Sequence, residues 1–237
     1  MSSHIVLRMR DVNMSVRTGH IFTKRKQVLR NINIDIRKGE CVAYLGANGA
    51  GKTSTFKAIS GLSSIDSGSI IKHGTLSIMP ETPYFYKHIT CRDLLSLMGK
   101  LNTVDDINQK IDAWSHRLNI TPIMDKRIGQ CSKGQVQRVG LAQVLMSEPD
   151  IVILDEPLSG LDPVGRRLVI SVLLEQSMSG QTILFSSHII DDVEKICTRA
   201  IFIRNGSIAH DEFVKREQYR TPPQTALEKV FMDVNQC

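Results

Sequence analysis

The chain has 237 residues, 41% apolar and 23% charged, a composition that supports a packed core and excludes a disordered or collagen-like polymer. No window approaches the ~18 uninterrupted apolar residues of a membrane span, and the start, MSSHIVLRMR, lacks the apolar stretch of a secretory signal. The net charge of +6 is local: residues 1–40 hold nine Lys and Arg against three Asp and Glu, and the signs balance beyond, which favours one basic contact surface over nucleic-acid binding along the chain.

In chain order, short β-like stretches at Ile5–Met9 and Val12–Val16 come first. The polar, basic segment RTGHIFTKRK follows; its plain reading is a solvated loop, its sharper one a contact with anionic headgroups or an acidic partner surface. From Leu29 to Ile36, isoleucines alternate with Asn33 and Asp35, which predicts a half-exposed strand. Arg37-Lys38-Gly39-Glu40 reads as a turn, and Cys41–Leu45 as a buried strand running into glycines. A helix is expected from Gly51 to about Ile59, stopped near Gly61, with further strands at Gly68–Ile71 and Leu76–Met79, closed by Pro80.

The periodicity turns helical from Thr90 to about Leu118, and another helix runs from Ser132 to about Met146. Then come a strand at Ile151–Leu154, a helix at Val164–Gln176, a strand at Thr182–Phe185, a helix at Ile189–Cys197 and a strand at Ala200–Ile203. Strands alternating with helices predict an α/β fold with a mostly parallel sheet covered on both faces. The stretch 90–147 breaks that alternation as an inserted helical subdomain. The expected division is a core formed by 1–89 and 148–212, the helical part 90–147, and a short tail 213–237. The five cysteines, 41, 91, 131, 197 and 237, show no paired spacing, which fits a reduced cytosolic protein rather than a disulfide scaffold or zinc site.

Four places carry chemistry. Gly46-Ala47-Asn48-Gly49-Ala50-Gly51-Lys52-Thr53 fits G-x-x-x-x-G-K-[ST] between a strand and a helix. Such a loop wraps phosphates with backbone N–H groups, Lys52 reaches the terminal phosphates, and the Thr53 hydroxyl ligates Mg²⁺. Asp155 and Glu156 follow a buried strand, at the edge where open parallel sheets bind ligands. One can hold a metal through water while the other orients or deprotonates the attacking water. Ser132 is a natural helix N-cap, with Gly134 allowing close approach by a ligand. Ser186-Ser187-His188 follows another short strand, so His188 also lands at that edge. Each alone has a plainer reading: a glycine-rich turn, a capping Asp-Glu pair, an ordinary capped helix, a structural histidine.

In this order the pieces, with the turn Ser159-Gly160-Leu161-Asp162, resemble the nucleotide-binding subunit of an ABC transporter, over roughly residues 5–210. The resemblance implies a P-loop core with a mostly parallel sheet, a small antiparallel N-terminal sheet and a helical insertion. It implies ATP held by residues 46–54, Ser54 included, and sandwiched against a second copy or a related subunit, whose signature (Ser132, Lys133, Gly134, Gln135) acts in trans. Glu156 would be the general base, Asp155 the Mg²⁺ partner, His188 the γ-phosphate contact and Asp162 a communicator across the dimer. Separate membrane-spanning permease subunits would complete a transporter, with this chain peripheral on the cytoplasmic face.

Three departures stand out. The usual Leu-Ser-Gly-Gly-Gln signature has Cys131 for its Leu and Lys133 for its first Gly. The glutamine of the metal-and-coupling loop is Glu81. No aromatic stands near Val16 to stack on adenine, Phe22 being the nearest substitute. Lys133 and Glu81 resemble the exporting branch of the family. The rival readings are a soluble member of the family acting on ribosomes or DNA, and a GTPase or kinase sharing only the phosphate loop. The first lacks its tandem cassette or coiled-coil insertion here, and the second its Asn-Lys-x-Asp motif.

Overall fold

The computed structural model describes residues 4–18 and 24–214. Phe22, Cys237 and most of the tail therefore lie outside the described residues. The strands are β1 (Ile5–Thr18), β2 (Lys24–Arg37), β3 (Cys41–Leu45), β4 (Ser67–Lys72), β5 (Leu76–Met79), β6 (Ile151–Leu154), β7 (Thr182–Ser187), β8 (Arg199–Arg204) and β9 (Ser207–Phe213). The helices are α1 (Lys52–Ser60), α2 (Cys91–Leu101), α3 (Ile107–Arg117), α4 (Lys133–Leu145), α5 (Pro163–Met178) and α6 (Ile190–Ile196).

A six-stranded sheet runs in the order β5-β6-β7-β3-β8-β9, parallel except at β9, and a three-stranded antiparallel sheet runs β2-β1-β4. Alternation along β3 divides the interior. Cys41, Ala43 and Leu45 join the core shared with α2 to α6, whereas Val42 and Tyr44 face the core built with β1, β2 and α1. Cover on both faces explains why β3 and β6 are apolar throughout and fully buried. Burial against that second core also pushes the Tyr44 hydroxyl far above its ordinary pKa.

Four expectations need correction. The two N-terminal stretches form one strand, irregular where Asp11 takes a positive φ of 50°. The basic segment is in part a strand rather than a loop: Lys24, Arg25 and Lys26 pair with Thr18, Arg17 and Val16. The helical stretch divides at Asn102–Asp106, where Thr103 and Asp106 both take positive φ. Strand β9 adds an antiparallel edge that the sequence pattern did not disclose. The unpaired cysteine spacing also conceals a contact, since the Cys91 and Cys131 sulfurs lie 3.7 Å apart. Burial and the neighbouring thiol push Cys91 up to about 12, which keeps it protonated near neutrality.

Candidate functional site

Parallel pairing brings the predicted residues to one edge. Leu45 lies opposite Ser187, while Leu154 and Met79 are paired, so the segments after β3, β5, β6 and β7 leave the sheet on the same side. The chain after β3 turns through Gly46 and exposes Ala47, Asn48 and Gly49 as a crest. Gly51 then starts α1 at φ 120°, where a Cβ would meet Ile203 Cδ1 at 2.9 Å. The backbone conformation requires glycine, and a Cβ would also crowd the Val28 carbonyl at 3.1 Å. No side chain caps α1, which leaves its first N–H groups without a side-chain acceptor, an arrangement that can meet an anion, with Lys52, Thr53 and Ser54 in the first turn.

Lys52 is 7% exposed, and its ammonium donates to the Gly46 carbonyl at 2.6 Å. It also stands 3.6 Å from Glu156 Oε1, so the buried charge has partners on two elements. The other carboxylate oxygen of Glu156 is 2.9 Å from His188 Nδ1. Glu156 thus lies between a buried ammonium and an exposed imidazole, three residues from three strand ends.

A second set of contacts lies beneath. Thr53 Oγ1 donates to Asp155 Oδ2 at 2.6 Å, and Ser186 Oγ donates to Asp155 Oδ1 at 2.6 Å. Ser186 in turn accepts the Glu156 N–H at 2.7 Å. One buried hydroxyl therefore orients the backbone of one acid and the side chain of the other. Sequence reading took Ser186 only as the approach to His188. Its signal was a hydroxyl among apolar strand residues, but its partners lie 31 and 30 positions away. Gln137, two residues beyond the signature, was missed as well, although it is buried and donates to the Glu156 carbonyl.

The Thr53 hydroxyl and the Asp155 carboxylate are hard oxygen donors side by side, a set that suits Mg²⁺. Glu81 stands exposed two residues after Met79, whose carbonyl accepts the Asp155 N–H at 2.8 Å. Its segment therefore leaves the sheet beside Asp155. Among the described residues no three His, Cys, Asp or Glu side chains converge as a metal cluster.

Ser132 caps α4 as expected. Its Oγ accepts the Gln135 N–H at 3.2 Å while Gln135 Oε1 accepts the Ser132 N–H at 2.9 Å, a reciprocal pair worth about 1 kcal/mol. Asp162 caps α5, its Oδ1 accepting the Gly165 N–H at 2.8 Å. The turn before it packs on the signature, where Lys133 lies along Gly160. No described helix is long and apolar enough to cross a membrane.

The ABC transporter family model matches residues 29–159. Three Bacillus subtilis and Synechocystis relatives, each described as an uncharacterized ABC transporter ATP-binding protein, align with most of the chain. YxlF of B. subtilis is 34% identical over 78% of this chain and 66% of its own length. The Synechocystis protein sll0415 is 34% identical over 84% of this chain and 60% of its own length. YthP of B. subtilis is 33% identical over 84% of this chain and 86% of its own length. The chain thus spans less than two thirds of the first two. An ATP-binding subunit of an ABC transporter superposes with a TM-score of 0.78 at 26% identity, covering 88% of this chain and 90% of that one. The dimeric MJ0796 cassette bound to ADP and Pi shares the fold, with a TM-score of 0.80 at 19% identity over 88% and 99% of the two chains. Sequence match, fold and the ordered site at the sheet edge together place the chain in the ABC transporter ATP-binding family.

Proposed function

We propose that this chain is a Mg²⁺-dependent ATPase subunit that powers a membrane transporter through ATP-driven pairing with a second copy or a related subunit. The observation that carries the reading is the convergence of Lys52 and His188 on Glu156, beside the Thr53–Asp155 pair. Residues 46–54 hold the phosphates, with Lys52 balancing their charge from the floor of the loop. Glu156 takes the proton of the attacking water, and His188 holds the terminal phosphate in line. Thr53 and Asp155 would hold Mg²⁺, which supplies charge neutralisation at the phosphate oxygens.

Ser132, Lys133, Gly134 and Gln135 close on the ATP of the partner, and Asp162 reports across the dimer. Separate permease subunits carry the cargo, with this chain peripheral on the cytoplasmic face. Lys133 and Glu81 support the exporting direction.

The test is Glu156→Gln. It should keep Mg-ATP binding, lower turnover by at least about a hundredfold, and accumulate an ATP-bound dimer, because hydrolysis reopens the sandwich. Turnover near the wild-type rate would reject Glu156 as the base.

A further inference from the structure

Glu156 stands at a positive φ of 48°, in the left-handed region that a residue with a Cβ enters at a cost of roughly 1–2 kcal/mol. Such a conformation persists only where surrounding groups over-determine it. Its peptide groups are held on both sides. Ser186, on β7, accepts the N–H at 2.7 Å. The carbonyl accepts the Ser159 N–H at 3.0 Å and Nε2 of Gln137 at 3.3 Å. Ser186 and Ser159 belong to the sheet and to the turn leaving it. Gln137 belongs to α4, which begins at the signature.

Gln137 is 1% exposed, and its Oε1 has no hydrogen-bond partner among the described residues. A half-satisfied buried amide costs about 1–3 kcal/mol, which an apolar side chain of the same shape avoids. Packing therefore does not account for the carboxamide, whereas the bond to Glu156 does. An α-helix rises 1.5 Å per residue, so Gln137 lies about 7.5 Å along the helix axis from the Ser132 cap. A shift of the signature end is carried to the Glu156 carbonyl without an intervening loop.

We infer that Gln137 is a positioning residue: it ties the backbone of Glu156 to the signature helix, so that the carboxylate takes its working orientation only when α4 is seated. The inference rests on the reading of Glu156 as the general base.

The experiment measures steady-state ATP turnover and thermal unfolding for Gln137→Met, which fills the space without a donor, and for Gln137→Asn, which keeps the amide but withdraws it by one methylene. Both should leave the KM for ATP within about twofold and lower kcat by about tenfold or more, the scale of a small misplacement of a reacting group. In a Glu156→Gln background the same substitutions should lower the residual rate no further, because the group they position is gone. Wild-type kcat in both variants, or an equal fractional loss in that background, would overturn the inference. An unfolded Met variant shifts the decision to the Asn variant. Near-wild-type turnover by Glu156→Gln alone would instead remove the general-base reading and, with it, the group Gln137 is argued to serve.

Discussion

The Nδ1 atom of His188 stands 2.9 Å from Oε2 of Glu156, joining the end of β7 to the end of β6. His188 is exposed while Glu156 is largely enclosed, with side-chain exposures of 55% and 13%. The imidazole is therefore the half of the pair that can turn toward a ligand without disturbing the core. His188→Ala should leave the thermal midpoint unchanged and weaken ATP binding only severalfold, yet lower turnover by about a hundredfold. Lys52→Ala should behave differently. That ammonium is buried against the Gly46 carbonyl, so its loss should weaken ATP binding by at least about tenfold. Equilibrium binding and turnover measured on both variants give the split, and equal effects on both quantities would contradict the division of roles.

A second expectation concerns Lys133, where the signature departs from its usual form, and the glycine it lies along. Gly160 has a φ of 72°, and a Cβ there would meet Lys133 Cδ at 2.7 Å and Cε at 2.8 Å. The turn accommodates the lysine stem because it has no side chain of its own. Gly160→Ala should cost about 1–2 kcal/mol through backbone strain and displace Lys133 from its place beside Ser132. Adding Lys133→Ala should relieve the displacement but not the strain. Urea unfolding should therefore show only partial recovery in the double variant, and full recovery would contradict the argument from backbone strain.

The basic ribbon invites a third. Arg17 lies directly opposite Arg25, a like-charge pairing that is unfavourable by itself, and Asp66 relieves one side of it at 2.8 Å from Arg25. A ribbon that concentrates cations against its own stability fits an anionic partner. Replacing Lys24, Arg25 and Lys26 by Gln should weaken binding to phosphatidylserine-containing vesicles on the order of a hundredfold at low salt, at about 1 kcal/mol per cation, and less as salt rises. Equal binding of both proteins at low salt would leave the ribbon without that role.

What could be read in the sequence follows from how each residue is held. Cys41–Leu45 and Ile151–Leu154 were legible because cover on both faces leaves an unbroken apolar run. The phosphate loop, Asp155, Glu156 and His188 were legible because each sits one to three positions beyond an apolar run. Strand β9 and the Lys24–Lys26 extension of β2 were not, since antiparallel edges exposed to solvent need no apolar alternation. Ser186 and Gln137 escaped for another reason. Their bonds to Asp155 and Glu156 cross 31, 30 and 19 positions and leave no local pattern.

Glu81 carries the last expectation, because it replaces a neutral amide with a charge. Its segment follows β5, and the Met79 carbonyl accepts the Asp155 N–H, so the loop starts beside the carboxylate paired with Thr53. A carboxylate there is attracted to a divalent cation and repelled by the terminal phosphate. Unit charges ~4 Å apart interact by about 4 kcal/mol at an effective dielectric of 20, before desolvation offsets most of it. The cation carries two charges, so attraction should prevail where it stands nearer than the phosphate. Glu81→Gln should then raise the Mg²⁺ concentration for half-maximal ATPase severalfold while leaving thermal unfolding unchanged, since Glu81 is exposed. Titrating Mg²⁺ against rate for both proteins decides the matter. Superimposable curves would show that Glu81 serves only the turn after Pro80 and takes no part in holding the metal.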